Sequence, residues 1–274
     1  MRGLLIYDAA GKARNEWFIN RLTESGRELG CELELVVCDC EKTPDGHFDF
    51  AIVRTIAPSL SRQLERGGIP CFNNARTSAI ANDKWQTYLF AKELALPVMN
   101  TVMPSSVDEA MAKLDLPFVV KAIDGHGGSE VFLVDSADKC KELFSKYEKS
   151  KLIAQEICSE PGVDMRVYVL GKKVLASVKR TSLSDFRSNF SLGGNAELID
   201  PPSEVKDTAL TVADRLGADF IGVDFIRHGG EWVLNEIEDV VGTRMLYSLT
   251  ALDPAKLYVG HIISKIKNKT DGEI

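Results

Sequence analysis

The sequence predicts an α/β (α+β) fold, with a small parallel-sheet domain leading into mixed and then antiparallel structure, on three observations. The first seventy-odd residues alternate short apolar runs with amphipathic stretches, the strand–helix–strand order that builds a parallel sheet. A glycine-rich loop, Asp124-Gly125-His126-Gly127-Gly128-Ser129, lies between two apolar runs, which reads as a strand–loop–strand flap. Beyond Asp164, Gly171-Lys172 and Gly229-Gly230 each separate two β-rich runs, a hairpin signal. The expected division is 1–80 for an N-terminal α/β domain, 81–157 for a helix and the flap subdomain, and 158–274 for a mostly antiparallel subdomain.

In chain order, Leu4–Tyr7, Leu33–Val37 and Phe50–Val53 are β-like, and Leu4–Tyr7 reads as a first buried strand. Trp17, Ile19, Leu22 and Leu29 place a helix between the first two, ending near Gly30. No glycine fingerprint follows the first strand, so a dinucleotide site is not expected. A helix is expected over Asn82–Leu94, with Asn82 or Asp83 as its cap and Pro97 shortly beyond its end. The flap follows as strand Thr101–Met103, helix Val107–Lys113, strands Phe118–Lys121 and Val131–Val134, helix Ala137–Lys149 and strand Leu152–Gln155. Strands Val167–Leu170 and Val174–Lys179 form the first hairpin, and Ile221–Arg227 and Trp232–Glu238 the second. Helix Val205–Leu216 lies between them, and a helix from Pro254 to Lys267 closes the chain.

Composition narrows the function. Of 274 residues, 45% are hydrophobic and 27% charged, as in an ordinary globular protein with a full core. The net charge of −7 argues against a nucleic-acid partner, because such binders usually carry a basic surplus. No apolar run approaches the roughly 18 residues that span a bilayer, and the N-terminus turns polar too early for a signal peptide, so no membrane partner is expected. Cys31, Cys38, Cys40, Cys71, Cys140 and Cys158 form no CxxC pair, which suits reduced thiols in the cytoplasm. The histidines are too scattered for zinc.

The second hairpin carries the chemistry. With a three-residue loop from Gly229 to Glu231, Asp224 lies opposite Glu236, Cβ atoms about 5 Å apart, and Glu238 shares Glu236's face. Such carboxylates repel unless a cation sits among them, and hard oxygen ligands suit Mg²⁺. The alternative, a solvated acidic face, fits poorly with neighbours such as Val223, Phe225 and Ile237. Gly125, Gly127 and Gly128 allow backbone N–H groups to cradle phosphate oxygens, and Lys121 ends the strand before them. Lys179, Arg180 and Arg187 make a cationic cluster beside Asp185-Phe186-Arg187-Ser188-Asn189-Phe190, suited to phosphate or carboxylate oxygens.

In combination these features resemble the ATP-grasp superfamily and, within it, the RimK-type glutamate ligases. The resemblance runs from about Asn82 to Glu238. It covers Asn82-Asp83-Lys84, Phe118–Lys121 with its loop, Gln155-Glu156 and Gly162-Val163-Asp164-Met165-Arg166. It continues through the Asp185–Asn189 run, Gly193-Gly194, Gly222-Val223-Asp224 and Asn235-Glu236-Ile237-Glu238. What it implies is an ATP-grasp fold with a pre-grasp N-terminal domain, a lid at about 97–157, and ATP with Mg²⁺ (or Mn²⁺) as cofactors. It further implies that Lys84 and Lys121 contact the phosphates and that Gly125, Gly127 and Gly128 close over them. Glu156 and Ile157 would border the adenine, and Asp164 would hold the ribose. Arg187, Ser188 and Asn189 would lie by the transferred phosphate, with Arg187, Arg166 or Arg244 on the donor carboxylate and its oxyanion. Asp224, Glu236 and Glu238 would bind metal, Glu238 where the family usually carries asparagine.

The implied reaction converts a substrate carboxylate to an acyl phosphate, which an amine then attacks to give an amide, ADP and phosphate. The implied substrates are amino acids or peptides such as glutamate, with a protein or peptide tail and a homo-oligomer left open. A phosphotransferase, or a nucleotide-binding regulator without turnover, is the alternative.

Overall fold

The computed structural model describes residues 1–38, 46–125, 130–148, 151–182 and 195–270. The chain opens with β1 (Arg2–Tyr7), α1 (Ala9–Glu28), β2 (Glu32–Val37), β3 (Phe50–Val53), α2 (Pro58–Arg66), β4 (Cys71–Phe72) and α3 (Ala75–Ala81). The strands form the expected parallel sheet, in the order β2-β1-β3-β4. Asp8 starts α1 by accepting the Gly11 N–H at 2.6 Å, and Pro58 takes the first turn of α2, where its missing N–H is no loss. Leu4 and Ile6 pack with Leu60 and Leu64 on one face of β1, while Leu5 and Tyr7 face the opposite way. Burial on both faces explains the unbroken apolar run. The two-residue strand β4 and the short helices α2 and α3 had no periodic signal long enough to show in the sequence.

Next come α4 (Lys84–Glu93), β5 (Thr101–Val102), α5 (Val107–Lys113), β6 (Phe118–Ala122), β7 (Val131–Val134), α6 (Ala137–Lys146) and β8 (Leu152–Glu156). Asp83, not Asn82, caps α4, accepting the Gln86 N–H at 2.8 Å. The flap strands pair antiparallel as β5-β8-β6-β7 around a separate core that includes Phe118, Val120, Leu143 and Phe144. Helix α6 stops short of the expected Lys149 because Tyr147 is extended, its ring against Phe132 with centroids 5.7 Å apart.

The remainder is β9 (Val163–Leu170), β10 (Lys173–Thr181), β11 (Asn195–Leu198), α7 (Ser203–Leu216), β12 (Phe220–His228), β13 (Glu231–Glu238), α8 (Arg244–Leu249) and α9 (Pro254–Thr270). Its strands pair antiparallel in the order β11-β10-β9-β12-β13. Alternation along β9 places the site. Met165, Val167 and Val169 pack on α7, whereas Asp164, Arg166, Tyr168 and Leu170 share the other face. Tyr168 and Leu170 enter one core with Tyr7, Phe50, Phe220 and Tyr258, so the N-terminal sheet and α9 cover that half of the face. The half bearing Asp164 and Arg166 is left for polar side chains. Among the described residues no helix is long and apolar enough to cross a membrane.

A single amide joins the first and last sheets. Asn73, 4% exposed, donates from Nδ2 to the Phe220 and Asp239 carbonyls at 2.8 Å and accepts from the Asp219 and Phe220 N–H groups at 2.8 Å. All its hydrogen-bonding capacity is used. Replacing it strands buried backbone groups, so Asn73→Ala is expected to lower stability by about 2–4 kcal/mol, read as a fall in the urea midpoint.

Candidate active site

The other half of that face carries a buried ion-pair lattice. Register sets Arg166 opposite Asp224, Arg180 opposite Asp164, and Asp224 opposite Glu236. Arg166 donates from Nε and Nη2 to the two oxygens of Asp224 at 2.7 and 2.6 Å, and its Nη2 lies 2.5 Å from Glu238. Arg180 forks onto Asp164 at 2.5 and 2.7 Å and reaches Asp224 at 2.8 Å. Burial pushes the Asp224 carboxyl up, but Arg166 and then Arg180 more than reverse this and hold it down at about 2. At Glu238 burial outweighs the pull of Arg166, and the carboxyl is raised. Lys179, on the opposite face of β10, pairs outward with Glu197 at 3.4 Å, so Lys179 and Arg180 do not act as one cluster.

The hairpin differs from the sequence expectation in its turn, not in its result. His228 pairs with Glu231, so the loop is the two residues Gly229-Gly230, at φ 59° and 84°, and Glu231 belongs to β13. A β-bulge then inserts Asn235, with Phe225 opposite Leu234 and Asp224 opposite Glu236. The shorter turn and the extra residue cancel, which restores the expected register. The bulge also sends Leu234 into the core while Asn235 and Glu236 both line the cleft.

The flap sheet supplies the opposing side. Lys84, at the start of α4, donates to the Gly125 carbonyl, and its Nζ lies 3.7 Å from Glu236. Its backbone N–H bonds Ile123 O at 3.1 Å, tying α4 to the loop after β6. Lys121, 7% exposed, donates to Asn235 Oδ1 at 3.1 Å, and burial lowers its pKa. A cavity of about 220 Å³ lies among Ile56, Lys84, Asn235, Glu236, Glu238 and Asp239. A smaller one beside it is lined by Lys121, Ile153, Gln155 and Leu234. Glu156 meets His228 at 2.9 Å where the flap sheet joins β12, and Ile157 beside it is half-buried.

The structure therefore brings together Lys84, Lys121, Asp164, Arg166, Asp224, Glu236 and Glu238. Arg244 is exposed at the start of α8 and donates to Arg14 O at 3.1 Å on α1. Gly125 offers its carbonyl to Lys84, and its N–H is bonded to Ala122 O at 3.2 Å. Gly127, Gly128, Arg187, Ser188 and Asn189 lie outside the described residues. Sequence reading missed a role for Asn235, which only the bulge reveals. It also missed Asp239, buried and raised by desolvation, accepting from Asn82 at 2.8 Å.

Among the described residues no three carboxylate, histidine or cysteine side chains are gathered closely enough to hold a metal. The donors nonetheless fit magnesium chemically. Lys84, Lys121, Arg166 and Arg180 equal Asp164, Asp224, Glu236 and Glu238 in number, with Arg166 shared by Asp224 and Glu238 and Lys121 on Asn235. A bound triphosphate would leave the cleft strongly negative unless divalent cations came with it. Glu236, with Lys84 no nearer than 3.7 Å, is the donor least committed to an arginine.

Comparison with known proteins places the chain in a family. Residues 81–262 match the family described as the RimK-like ATP-grasp domain. A probable alpha-L-glutamate ligase of Pasteurella multocida is 30% identical over 211 residues, covering 74% of this chain and 67% of that protein. One from Methanococcoides burtonii is 28% identical over 293 residues, covering 96% and 97%. Among solved structures, a RimK-domain ATP-grasp protein from Sphaerobacter thermophilus superposes with a TM-score of 0.76 at 19% identity, covering 96% of this chain and 100% of that one. D-alanine–D-alanine ligase from Bacillus anthracis, complexed with ATP, gives 0.77 at 18% identity over 100% of both chains. The chain belongs to the RimK-like ATP-grasp family.

Proposed function

We propose that the protein is an ATP-dependent carboxylate–amine ligase, in class an acid–amino-acid ligase, with an amino acid or peptide such as glutamate among its substrates. One observation carries this reading: Glu236 of the β12–β13 hairpin and Lys84 of the flap side face each other across a single cleft. The relatives named as probable alpha-L-glutamate ligases support glutamate as the substrate class. The described cysteines are free thiols, which supports a reducing compartment such as the cytoplasm.

In this reading Lys84 and Lys121 bind phosphate oxygens. Burial weakens Lys121's hold on its proton, and an incoming anion reverses that, so the lysine discriminates for negative charge. Asp224, Glu236 and Glu238 would hold magnesium, or manganese as its substitute, which would supply charge stabilisation to the phosphates. Arg166, on the same face, stabilises negative charge developing at the reacting group. Arg187, Ser188 and Asn189 contribute beside the transferred phosphate, Gly127 and Gly128 over the triphosphate, and Asp164 at the ribose, all by resemblance. The substrate carboxylate attacks the γ-phosphorus and ADP leaves; the amine attacks the resulting acyl phosphate and phosphate leaves. The flap sheet keeps water from the acyl phosphate.

Glu236→Gln is expected to abolish ADP formation with thermal unfolding unchanged, and full turnover would defeat the metal assignment. Lys121→Met should raise the KM for ATP by about tenfold or more, since a hydrogen bond to a charged group contributes about 1.5–3 kcal/mol; an unaltered KM would remove Lys121 from the nucleotide site. A panel of amino acids and peptides should show ADP release that depends on an amine, with a product mass equal to acid plus amine less one water. Release without an amine requirement would point to phosphotransfer instead.

A further inference from the structure

One cation already sits on the proposed metal ligands. Arg166 holds both oxygens of Asp224 at 2.7 and 2.6 Å and Glu238 at 2.5 Å. Its neighbour Arg180 also touches Asp224, at 2.8 Å, but is fixed separately by its fork onto Asp164. The two arginines therefore differ. Arg180 keeps a partner whatever happens at Asp224, whereas the carboxylates that Arg166 holds among the described residues are the two that would bind metal. Its stem passes over Gly222, where a Cβ would lie 3.4 Å from Arg166 Cδ, so the guanidinium is steered onto this spot. Glu238 matters in particular. A neutral side chain there would leave Arg166 one carboxylate, and the trio Asp224, Glu238 and Arg166 would lose its surplus negative charge.

We propose that Arg166 is a built-in counter-ion for the metal-binding carboxylates, seated on Asp224 and Glu238 until a divalent cation takes them, and then free to face the reacting group. This rests on the metal reading above. In the absence of metal Arg166 is a positioning residue, holding both carboxylates side by side against their repulsion.

Mn²⁺ binding to the full chain, followed by electron paramagnetic resonance without nucleotide, tests the idea. Arg166→Met removes a positive charge a few ångströms from the incoming cation and should tighten Mn²⁺ binding about tenfold or more, while Arg166→Lys, which keeps the charge, should stay within about threefold of wild type. A folded Arg166→Met with unchanged or weaker affinity overturns the proposal. Should that variant fail to fold, the wild-type Arg166 Nε–H resonance, assigned by its loss in Arg166→Lys, should shift when Mg²⁺ and ADP are added. A stationary resonance, with Mn²⁺ shown to bind alongside ADP, overturns it equally. If wild type binds no Mn²⁺ even with ADP, the metal reading itself falls, a result distinct from either.

Discussion

Burying ionised groups in a sheet is tolerable only when each finds an opposite charge, and that constraint organises this molecule. Arg166, Arg180, Asp164 and Asp224 are all less than a tenth exposed. Removing one partner from such a set typically costs about 3–5 kcal/mol, because the charge left behind has neither water nor a counter-ion. The lattice holds only because four strands meet in one register: β9 brings Asp164 and Arg166, β10 Arg180, β12 Asp224 and β13 Glu238. Strand pairing thus fixes the chemistry of the cleft floor before any ligand arrives.

Much of this was legible in the residues. The β-rich runs flanking Gly171-Lys172 and Gly229-Gly230 located both hairpins, and the apolar neighbours of Asp224 argued that its charge was not simply solvated. The facing of Asp224 and Glu236 was reached through a loop one residue too long, compensated by a bulge that was not foreseen. A bulge leaves little trace in a strand of this composition, since Asn235 reads equally well as an outward polar position. Burial of the lattice was also hidden: sequence shows that arginines and acids are present, not which will pair. Arg180 and Lys179 are adjacent, and only the pleat sends one to Asp164 and the other to Glu197.

The two sheets that make the cleft divide the work. The β9–β13 sheet offers oxygen donors, while the flap sheet and the start of α4 offer ammonium groups, which meet it across the gap through Lys121 to Asn235 and Lys84 to Glu236. The flap has its own core around Phe118 and Phe144, separate from the cores of the other two sheets. The contact of Glu156 with His228 stands at the seam between the two.

The N-terminal sheet has no such independence. Tyr7, Tyr168, Phe220 and Tyr258, each at most 1% exposed, lie in one core drawn from both ends of the sequence. A protease or a gene truncation that released the first eighty residues would therefore lay bare a broad aromatic surface and invite aggregation. The stretch that matches the family, 81–262, shares its core with the residues before it and after it. Through Ile56 the leading segment also lines the cavity beside Lys84 and Glu236, so its loss would open that cavity as well.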